Sequence, residues 1–408
     1  MSDARTFKVL FVTTLFEVIA FAVIIPILPL LLTEPSSSLF ILPERYSVDF
    51  GLVLLGAITA AYPFGQFLST PILGELSDRY GRRPLLMMSI AGTVGANIVF
   101  GYGVMTASMP LLLGAKLFDG LTGGNISVVQ AAVADISSNE EKSERFSKLG
   151  AAFGVGLALG PAIAGVLSTA SLASFLSPST PFFFASALSL VSFSLVYFVL
   201  RETSPMEVSN EDMLEPFRRI GFYLFRSDVR GLFFANLLYF VGFAFFTTFV
   251  SDIVSNRFGL NQLQLGGYYL LIGTTVIGSR FFAVPKIFEG REERSLVVPG
   301  LVSTAAMLFL LYLVDSSLPL YIFTTGGFAL ANSVTQVAIQ SSVSIGSQED
   351  EQGTALGIYS SMRALGQSIP GITAGVVVAA LATDIAFVLA GGTVLSTALL
   401  FWLTDRNQ

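Results

Sequence analysis

Twelve long apolar runs, separated by shorter polar stretches, organise this chain of 408 residues. A helix needs roughly 20 apolar residues to cross the hydrocarbon core of a bilayer, and each run is about long enough. The pattern therefore predicts twelve transmembrane helices. The predicted spans are approximately residues 8–32, 51–73, 85–104, 110–134, 148–170, 181–200, 230–253, 265–288, 296–314, 319–343, 354–381 and 383–403.

The longest polar interval divides the chain into two halves. We predict an N-terminal six-helix bundle over residues 1–200, a cytoplasmic linker over 201–229 and a C-terminal six-helix bundle over 230–408. Within the linker, residues 213–225 mix aromatic and arginine side chains. Such a stretch can lie at the membrane interface as an amphipathic helix, or it can be a disordered linker.

The composition supports a membrane location and limits the available chemistry. Hydrophobic residues make up 53% of the chain and the mean hydropathy is +0.73, more apolar than soluble domains. There is no cysteine and no histidine. We therefore expect no disulfide, no metal site and no cofactor, and any proton transfer has to use carboxylates.

The basic residues indicate the orientation. With the N-terminus inside, only Arg45 and Arg257 of the 22 Lys and Arg residues fall in outside loops, and Lys116, Arg280 and Arg363 fall within spans. The remainder are cytoplasmic, which is the positive-inside pattern for twelve spans with both termini in the cytoplasm. The first run is too long for the apolar core of a signal peptide, so we expect a retained span in the inner, or plasma, membrane.

The most distinctive loop joins the second and third spans and reads GELSDRYGRRP over residues 74–84. It resembles the G-x-x-x-D-R-x-G-R-R loop of major facilitator superfamily transporters. The resemblance implies an all-α integral membrane fold, with twelve transmembrane helices in two pseudo-symmetric six-helix bundles, and a carrier working by alternating access; we expect it to be a monomer. A basic turn that only fixes topology would carry the same charges. The fixed positions of the motif are Gly74, Asp78, Arg79, Gly81, Arg82 and Arg83.

The same resemblance assigns roles to three charged residues on the cytoplasmic side. Asp78 would lie at the start of the eleventh span, where a carboxylate suits the positive helix end. Arg82 would pair with Asp135, at the end of span four, when the carrier faces outward. Together these contacts would form a latch between the halves.

Three ionisable residues lie within predicted spans of the first half. Glu17 and Asp119 lie near mid-depth, and Lys116 shares a helix face with Asp119. An ionisable group costs about 2.5–3.5 kcal/mol at the bilayer centre even on the lenient insertion scale, so such residues are functional candidates. We expect Glu17 and Asp119 to bind and release protons, with Lys116 beside them. The alternative is a static Lys116–Asp119 ion pair that holds helices together.

Further motifs resemble the drug:proton antiporters of this superfamily, the tetracycline and multidrug efflux carriers. Span one carries an acidic residue before the ending Pro26-Ile27-Leu28-Pro29, and span four resembles the R-x-x-x-G segment with Lys116 at the basic position. Span five resembles G-x-x-x-G-P-x-x-G-G, which implies antiport and therefore export; ordinary packing of small residues is the alternative. The matching positions in span five are Gly156, Gly160, Pro161 and Gly165.

Polar rows follow helical spacing in the second half. These rows could line a cavity for a flat, partly polar solute, or they could join neighbouring helices through hydrogen bonds. Arg363 is the best individual candidate, because an unpaired arginine within a span needs a reason. The candidate cavity residues are Asn236, Tyr239, Gln336, Gln340, Arg363 and Gln367, together with Asn125 of span four.

The sequence thus predicts a secondary active transporter that exports hydrophobic or cationic small molecules in exchange for protons. A uniporter or proton symporter for a sugar, organic acid or other metabolite is the alternative. Its partners would be the substrate, protons and the lipid bilayer, with no nucleic acid. No nucleophile elbow or phosphate-binding loop supports a membrane enzyme.

Overall fold

The computed structural model describes residues 3–204, 218, 221, 229–347 and 352–406, and every regular element in these ranges is a helix. A π-helical turn at Ser279–Ala283 follows α10, and a 3-10 turn at Glu293–Leu296 leads into α12. The α-helices are α1 (Asp3–Ala22), α2 (Ile24–Leu32), α3 (Val48–Tyr80), α4 (Arg82–Met105), α5 (Met109–Thr122), α6 (Asn125–Asp135), α7 (Asn139–Leu167), α8 (Thr180–Phe198), α9 (Arg230–Phe258), α10 (Gln262–Gly278), α11 (Val284–Phe288), α12 (Val297–Leu313), α13 (Leu318–Ile345), α14 (Gln352–Ala380) and α15 (Ile385–Asp405).

The helices follow the predicted spans. Nine helical stretches of the described residues are long and apolar enough to cross a membrane. The other three predicted spans correspond to the α5–α6 pair, to α13 and to α14. The all-helical prediction is confirmed, whereas the predicted amphipathic segment 213–225 lies outside the described residues except for Arg218 and Gly221.

Two predicted spans of the first half, the first and the fourth, are each built from two helices, for local reasons. Pro26 has no N–H to donate to the carbonyl of Ala22, where α1 ends; α2 begins two residues later. The pair Gly123 and Gly124 interrupts the fourth span between α5 and α6, in keeping with the poor helix propensity of glycine.

The chain forms two compact units that interleave in sequence. The helices α3 and α10 contribute residues to both units, and the predicted division at residues 201–229 remains a prediction. Unit 1 comprises Met1–Tyr46, Phe64–Pro216 and Asn261–Gly273, and unit 2 comprises Ser47–Pro63, Phe217–Leu260 and Thr274–Gln408.

Unit 1 is organised around α1 and α4. The first packs against α7 and α8, and the second packs against α5 and α8. A fully apolar core joins them, with Leu10 of α1, Leu86 and Ile90 of α4, and Val133 of α6 completely buried. This apolar core leaves the polar side chains described below as exceptions that need an explanation.

Unit 2 is organised around α9, which packs against α14 and α15, while α12 packs against α13 and α15. Aromatic rings fill its interior, and the centroids of Phe246 and Phe328 are 4.3 Å apart. The start of α3 approaches α14 closely at Gly371: a Cβ built there would lie 2.0 Å from the Cβ of Ala60. Glycine is therefore required at this position for the two backbones to meet.

Candidate functional site

Glu17 lies in the interior of unit 1, on the buried face of α1, and is 5% exposed. The side-chain amide of Asn125 donates a hydrogen bond to Glu17 Oε2 at 3.1 Å. Asn125 is the first residue of α6, so the break between α5 and α6 places this amide beside the carboxylate. The predicted cavity residue Asn125 is thus a partner of the predicted proton site.

The break in the fourth span is stabilised by side chains of neighbouring helices. Ser69 Oγ donates to the carbonyl of Gly120 at 2.9 Å, and Gln66 Nε2 donates to the carbonyl of Gly123 at 3.2 Å. Ser89 Oγ donates to the carbonyl of Thr122. A helix interruption inside a membrane requires such replacement partners, because no lipid group can supply them. The interruption between α5 and α6 is therefore a stable part of the fold.

Two serines of α8 border the same carboxylate, and sequence reasoning missed them. Ser189 and Ser192 lie beside Glu17. Among the described residues, no hydrogen-bond partner serves the buried atoms Glu17 Oε1, Asn125 Oδ1 and the two serine hydroxyls. Unsatisfied buried polar atoms are costly unless water or a proton completes them. The signal in the sequence is a row of serines three residues apart in an otherwise apolar span.

The predicted Lys116–Asp119 pair is present. Lys116 Nζ lies 3.2 Å from Asp119 Oδ2, with the two side chains 6% and 4% exposed. The ammonium of Lys116 also lies 5.5 Å from the ring centroid of Phe100, a cation–π distance. Asp119 is within electrostatic range of Glu17. The structure thus brings together all three ionisable residues predicted for proton coupling.

Arg82 is the centre of the predicted latch residues. Its guanidinium contacts Asp78 Oδ1 at 2.5 Å and Asp135 Oδ2 at 2.9 Å, and it donates to Ser77 Oγ at 2.6 Å. The side chains of Arg82 and Asp135 are 10% and 18% exposed, whereas the Asp78 side chain is 60% exposed. The pairing of Arg82 with Asp135 that the loop motif implies is therefore seen in the structure.

Glu202, which sequence reasoning missed, binds the start of α4. Its carboxylate accepts from the backbone N–H groups of Arg82 at 2.7 Å and Arg83 at 3.2 Å, as expected of an anion at a helix N-terminus. Gly81 has a φ of +99°, and a Cβ built there would lie 2.4 Å from the Glu202 carboxylate. Glycine is thus required at this position for two reasons: the positive φ is unfavourable for other residues, and a Cβ would clash with the Glu202 carboxylate. A cavity of about 470 Å³, lined in part by Asp135 and Glu202, lies alongside.

The remaining motif residues contact other groups. The guanidinium of Arg79 lies 5.6 Å from the ring centroid of Tyr80, and Arg83 donates to the carbonyl of Tyr197 at 2.6 Å. A Cβ at Gly74 would meet open space. These side chains do not enter the Arg82 network.

The glycines of the predicted antiporter motif in α7 are sites of close helix approach. A Cβ at any of these glycines would lie 2.6–2.7 Å from an atom of another helix, so a larger residue would force the helices apart. Pro161 lies inside α7. The neighbouring residues are Val18 for Gly156, Ala22 for Gly160 and Gln262 for Gly165.

In unit 2 a chain of hydrogen bonds links the predicted cavity residues. Arg280 Nη2 donates to Gln336 Oε1 at 3.2 Å, and Gln336 Nε2 donates to Asn332 Oδ1 at 3.1 Å. The hydroxyl of Tyr239 donates to the same Asn332 oxygen. Arg280 lies in the π-helical turn, and its sequence position within a span does not by itself indicate this contact.

Asn236 joins two helices instead of lining an accessible surface. It is fully buried, and its amide donates to the carbonyl of Tyr359 at 2.8 Å. This contact joins α9 to α14, which is the helix-joining alternative for the polar rows.

Arg363, Gln340 and Gln367 remain accessible, the first two exposed and the third half-buried. The guanidinium carbon of Arg363 lies 4.9 Å from the ring centroid of Phe240. The structure therefore divides the predicted cavity residues into buried connectors and accessible side chains. Within the described residues there is no cluster of three potential metal ligands among His, Cys, Asp and Glu.

Comparisons with known proteins agree with this architecture. A family model for the Major Facilitator Superfamily matches residues 10–371. The class B tetracycline resistance protein of Escherichia coli is 29% identical over 368 residues, covering 87% of this chain and 84% of the relative. The major facilitator superfamily domain-containing protein 10 of Mus musculus is 26% identical over 442 residues, covering 98% and 93%.

Solved structures share the fold. The D-xylose-proton symporter aligns with a TM-score of 0.81 at 16% identity, covering 98% of both chains. The human organic anion transporter MFSD10 (TETRAN) aligns with a TM-score of 0.73 at 23% identity, covering 98% of this chain and 100% of the other. At these identities the structural similarity supports a conclusion about the fold and not about function, and it confirms the predicted fold class.

Proposed function

This chain belongs to the Major Facilitator Superfamily and is a multi-pass membrane transporter of small molecules, and we propose that it exports a hydrophobic substrate in exchange for protons. The observation that carries this proposal is the buried Glu17 carboxylate, held by Asn125 and placed in range of the Lys116–Asp119 pair.

Glu17 is suited to bind a proton reversibly. A buried carboxylate without a cationic partner of its own is costly in a low-dielectric interior, and protonation removes its charge. The unpartnered Glu17 Oε1 and the nearby serine hydroxyls leave room for hydrogen bonds in either protonation state. Asp119 already has Lys116 as a counter-charge. In this proposal Glu17 takes up the proton, and Asp119 and Lys116 adjust how strongly it is held.

Export is supported by the relatives and by α7. Several curated relatives are tetracycline resistance proteins, of which two are 29% and 28% identical to this chain. The span-five motif that resembles antiporters lies where α7 meets α1, the helix that carries Glu17. A movement of α7 against α1 would therefore shift the helix that carries Glu17.

The Arg82 network is proposed to act as a conformational latch. Arg82 binds two carboxylates at once, and Glu202 fixes the backbone from which it projects. Breaking and remaking these contacts would accompany each transport cycle. We place the protein in the inner, or plasma, membrane as a monomer with both termini cytoplasmic.

The test uses proteoliposomes with an imposed pH gradient. Lumenal pH is followed while tetracycline is added as a hydrophobic probe, with protein-free vesicles as the background. Proton-coupled antiport predicts that the probe dissipates the gradient in wild type and that Glu17→Gln reduces this to background. If wild type leaves the gradient intact while labelled metabolites equilibrate, the antiporter proposal is wrong and facilitated uptake replaces it.

A further inference from the structure

Arg280 and Arg363 are two arginines on membrane-spanning helices of unit 2. Within the described residues, neither Arg280 nor Arg363 forms an ion pair with a carboxylate. Both residues are exposed at the surface of the protein, and each lies within electrostatic range of the other and of Tyr359. Two like charges held together without compensation are unfavourable in this environment. Their proximity therefore requires a reason.

The two guanidinium groups are held in place by contacts that leave donors available. The guanidinium of Arg363 lies over the ring of Phe240, which is itself completely buried. Arg280 uses one nitrogen to donate to Gln336. A guanidinium has five N–H donors, so most of them remain unused.

Buried polar side chains orient the partner of Arg280. Gln336 is oriented by Asn332, which is in turn held by the buried hydroxyl of Tyr239. Arg280 projects from the π-helical turn at Ser279–Ala283, and such turns within helices occur frequently at functional sites. A chain of oriented polar groups that ends in an accessible arginine is typical of a binding site, because it holds the charge ready before the ligand arrives.

We propose that Arg280 and Arg363 form a subsite for the anionic group of the transported molecule, so that the substrates are amphipathic acids with a carboxylate or similar anion attached to an apolar ring system. The anion would bind the free N–H edges of both guanidinium groups and relieve their mutual repulsion. This inference rests on the proposed function and deepens it; of the hydrophobic or cationic molecules that the sequence predicts as substrates, it argues against the cationic ones, since two positive charges would repel a cationic solute.

Binding to three probes of nearly equal shape tests the subsite. The probes are 2-naphthoate, its neutral amide 2-naphthamide, and the cation 2-naphthylmethylammonium, measured by equilibrium dialysis with wild type in phosphatidylcholine nanodiscs. We expect at least about tenfold tighter binding of the carboxylate, equivalent to about 1.4 kcal/mol. Arg280→Gln and Arg363→Gln should each remove this preference, while Arg45→Gln, in a predicted outside loop, should keep it. The variants Arg280→Lys and Arg363→Lys retain the charge and should bind the carboxylate more tightly than the corresponding Gln variants.

The outcomes separate this subsite from the proposed proton exchange, which the dialysis does not require. A preference for the amide or the ammonium, no binding of the carboxylate, or undiminished binding by monodisperse Gln variants would overturn the subsite even where the pH gradient responds to tetracycline. Charge-selective binding with no effect on a pH gradient would keep the subsite and remove proton coupling.

Repeating the dialysis with added phosphatidylglycerol distinguishes the source of the anion. If binding of this lipid, and not of the naphthoate, depends on the two arginines, the cluster binds lipid headgroups and the proposal is wrong.

Discussion

The two units treat charge within membrane-spanning helices in opposite ways. In unit 1 the ionisable side chains of Glu17, Lys116 and Asp119 are buried, and the lysine neutralises one carboxylate at 3.2 Å. In unit 2 the charges of Arg280 and Arg363 are accessible and have no carboxylate partner among the described residues. Burial suits a site that exchanges a proton, and accessibility suits a site that meets a solute. The contrast supports the proposal that unit 1 binds the proton and unit 2 binds the anionic group of the substrate.

The largest expected effect separates coupling from binding. Glu17→Gln should abolish substrate movement driven by a pH gradient, because the amide cannot take up a proton, yet leave substrate–substrate exchange at equal pH intact. Arg363→Gln should weaken both processes. The measurement is flux of a labelled substrate in proteoliposomes under the two conditions, with Glu44→Gln in an exposed loop as control. Equal loss of driven transport and exchange in Glu17→Gln would mean that Glu17 belongs to the substrate site.

The next effect concerns stability in unit 1. Lys116→Met should destabilise the protein by about 3–5 kcal/mol, because it leaves the Asp119 carboxylate buried without its counter-charge. The double variant Lys116→Met with Asp119→Asn removes both charges and should recover most of this loss. Thermal unfolding in detergent compares the three proteins. A double variant no more stable than the single one would show that the pair does not hold this region together.

The contrast between the units was only partly predictable from the sequence. Glu17, Lys116 and Asp119 stand out because charges in apolar runs are rare. Their partners do not: Asn125 meets Glu17 only because the fourth span breaks at two glycines, and Glu202 meets Arg82 from 120 residues away.

Exposure was equally hard to predict in unit 2. Asn236 and Arg363 both lie on polar rows at helical spacing, yet one is completely buried and joins two helices while the other is accessible. Arg280 gains its place from a π-helical turn, for which its sequence gives no local signal. Spacing along a helix predicts which residues share a face, but the neighbouring helix decides whether that face is covered.

A smaller effect is expected from the same kind of change in unit 2. Arg363→Gln should alter stability by less than about 1 kcal/mol, because it removes one cation–π contact with Phe240 and also relieves repulsion by Arg280. Its unfolding temperature should therefore stay close to that of wild type, in contrast to Lys116→Met. If the two variants lose similar stability, Arg363 has a structural partner and the difference between the units disappears.

The smallest effect tests whether the polar pocket around Glu17 is dry. Ser192→Ala removes a buried hydroxyl that has no partner among the described residues, so stability should change by less than about 0.5 kcal/mol. Ser69→Ala is the matched control: it removes the hydrogen bond from Ser69 to the Gly120 carbonyl, which also accepts from the backbone N–H of Gly123, and should cost about 0.5–1.5 kcal/mol. Equal losses in the two variants, measured by thermal unfolding, would mean that Ser192 is bonded to water in the membrane. The proton site of unit 1 would then be hydrated, and its burial would no longer distinguish it from the accessible arginines of unit 2.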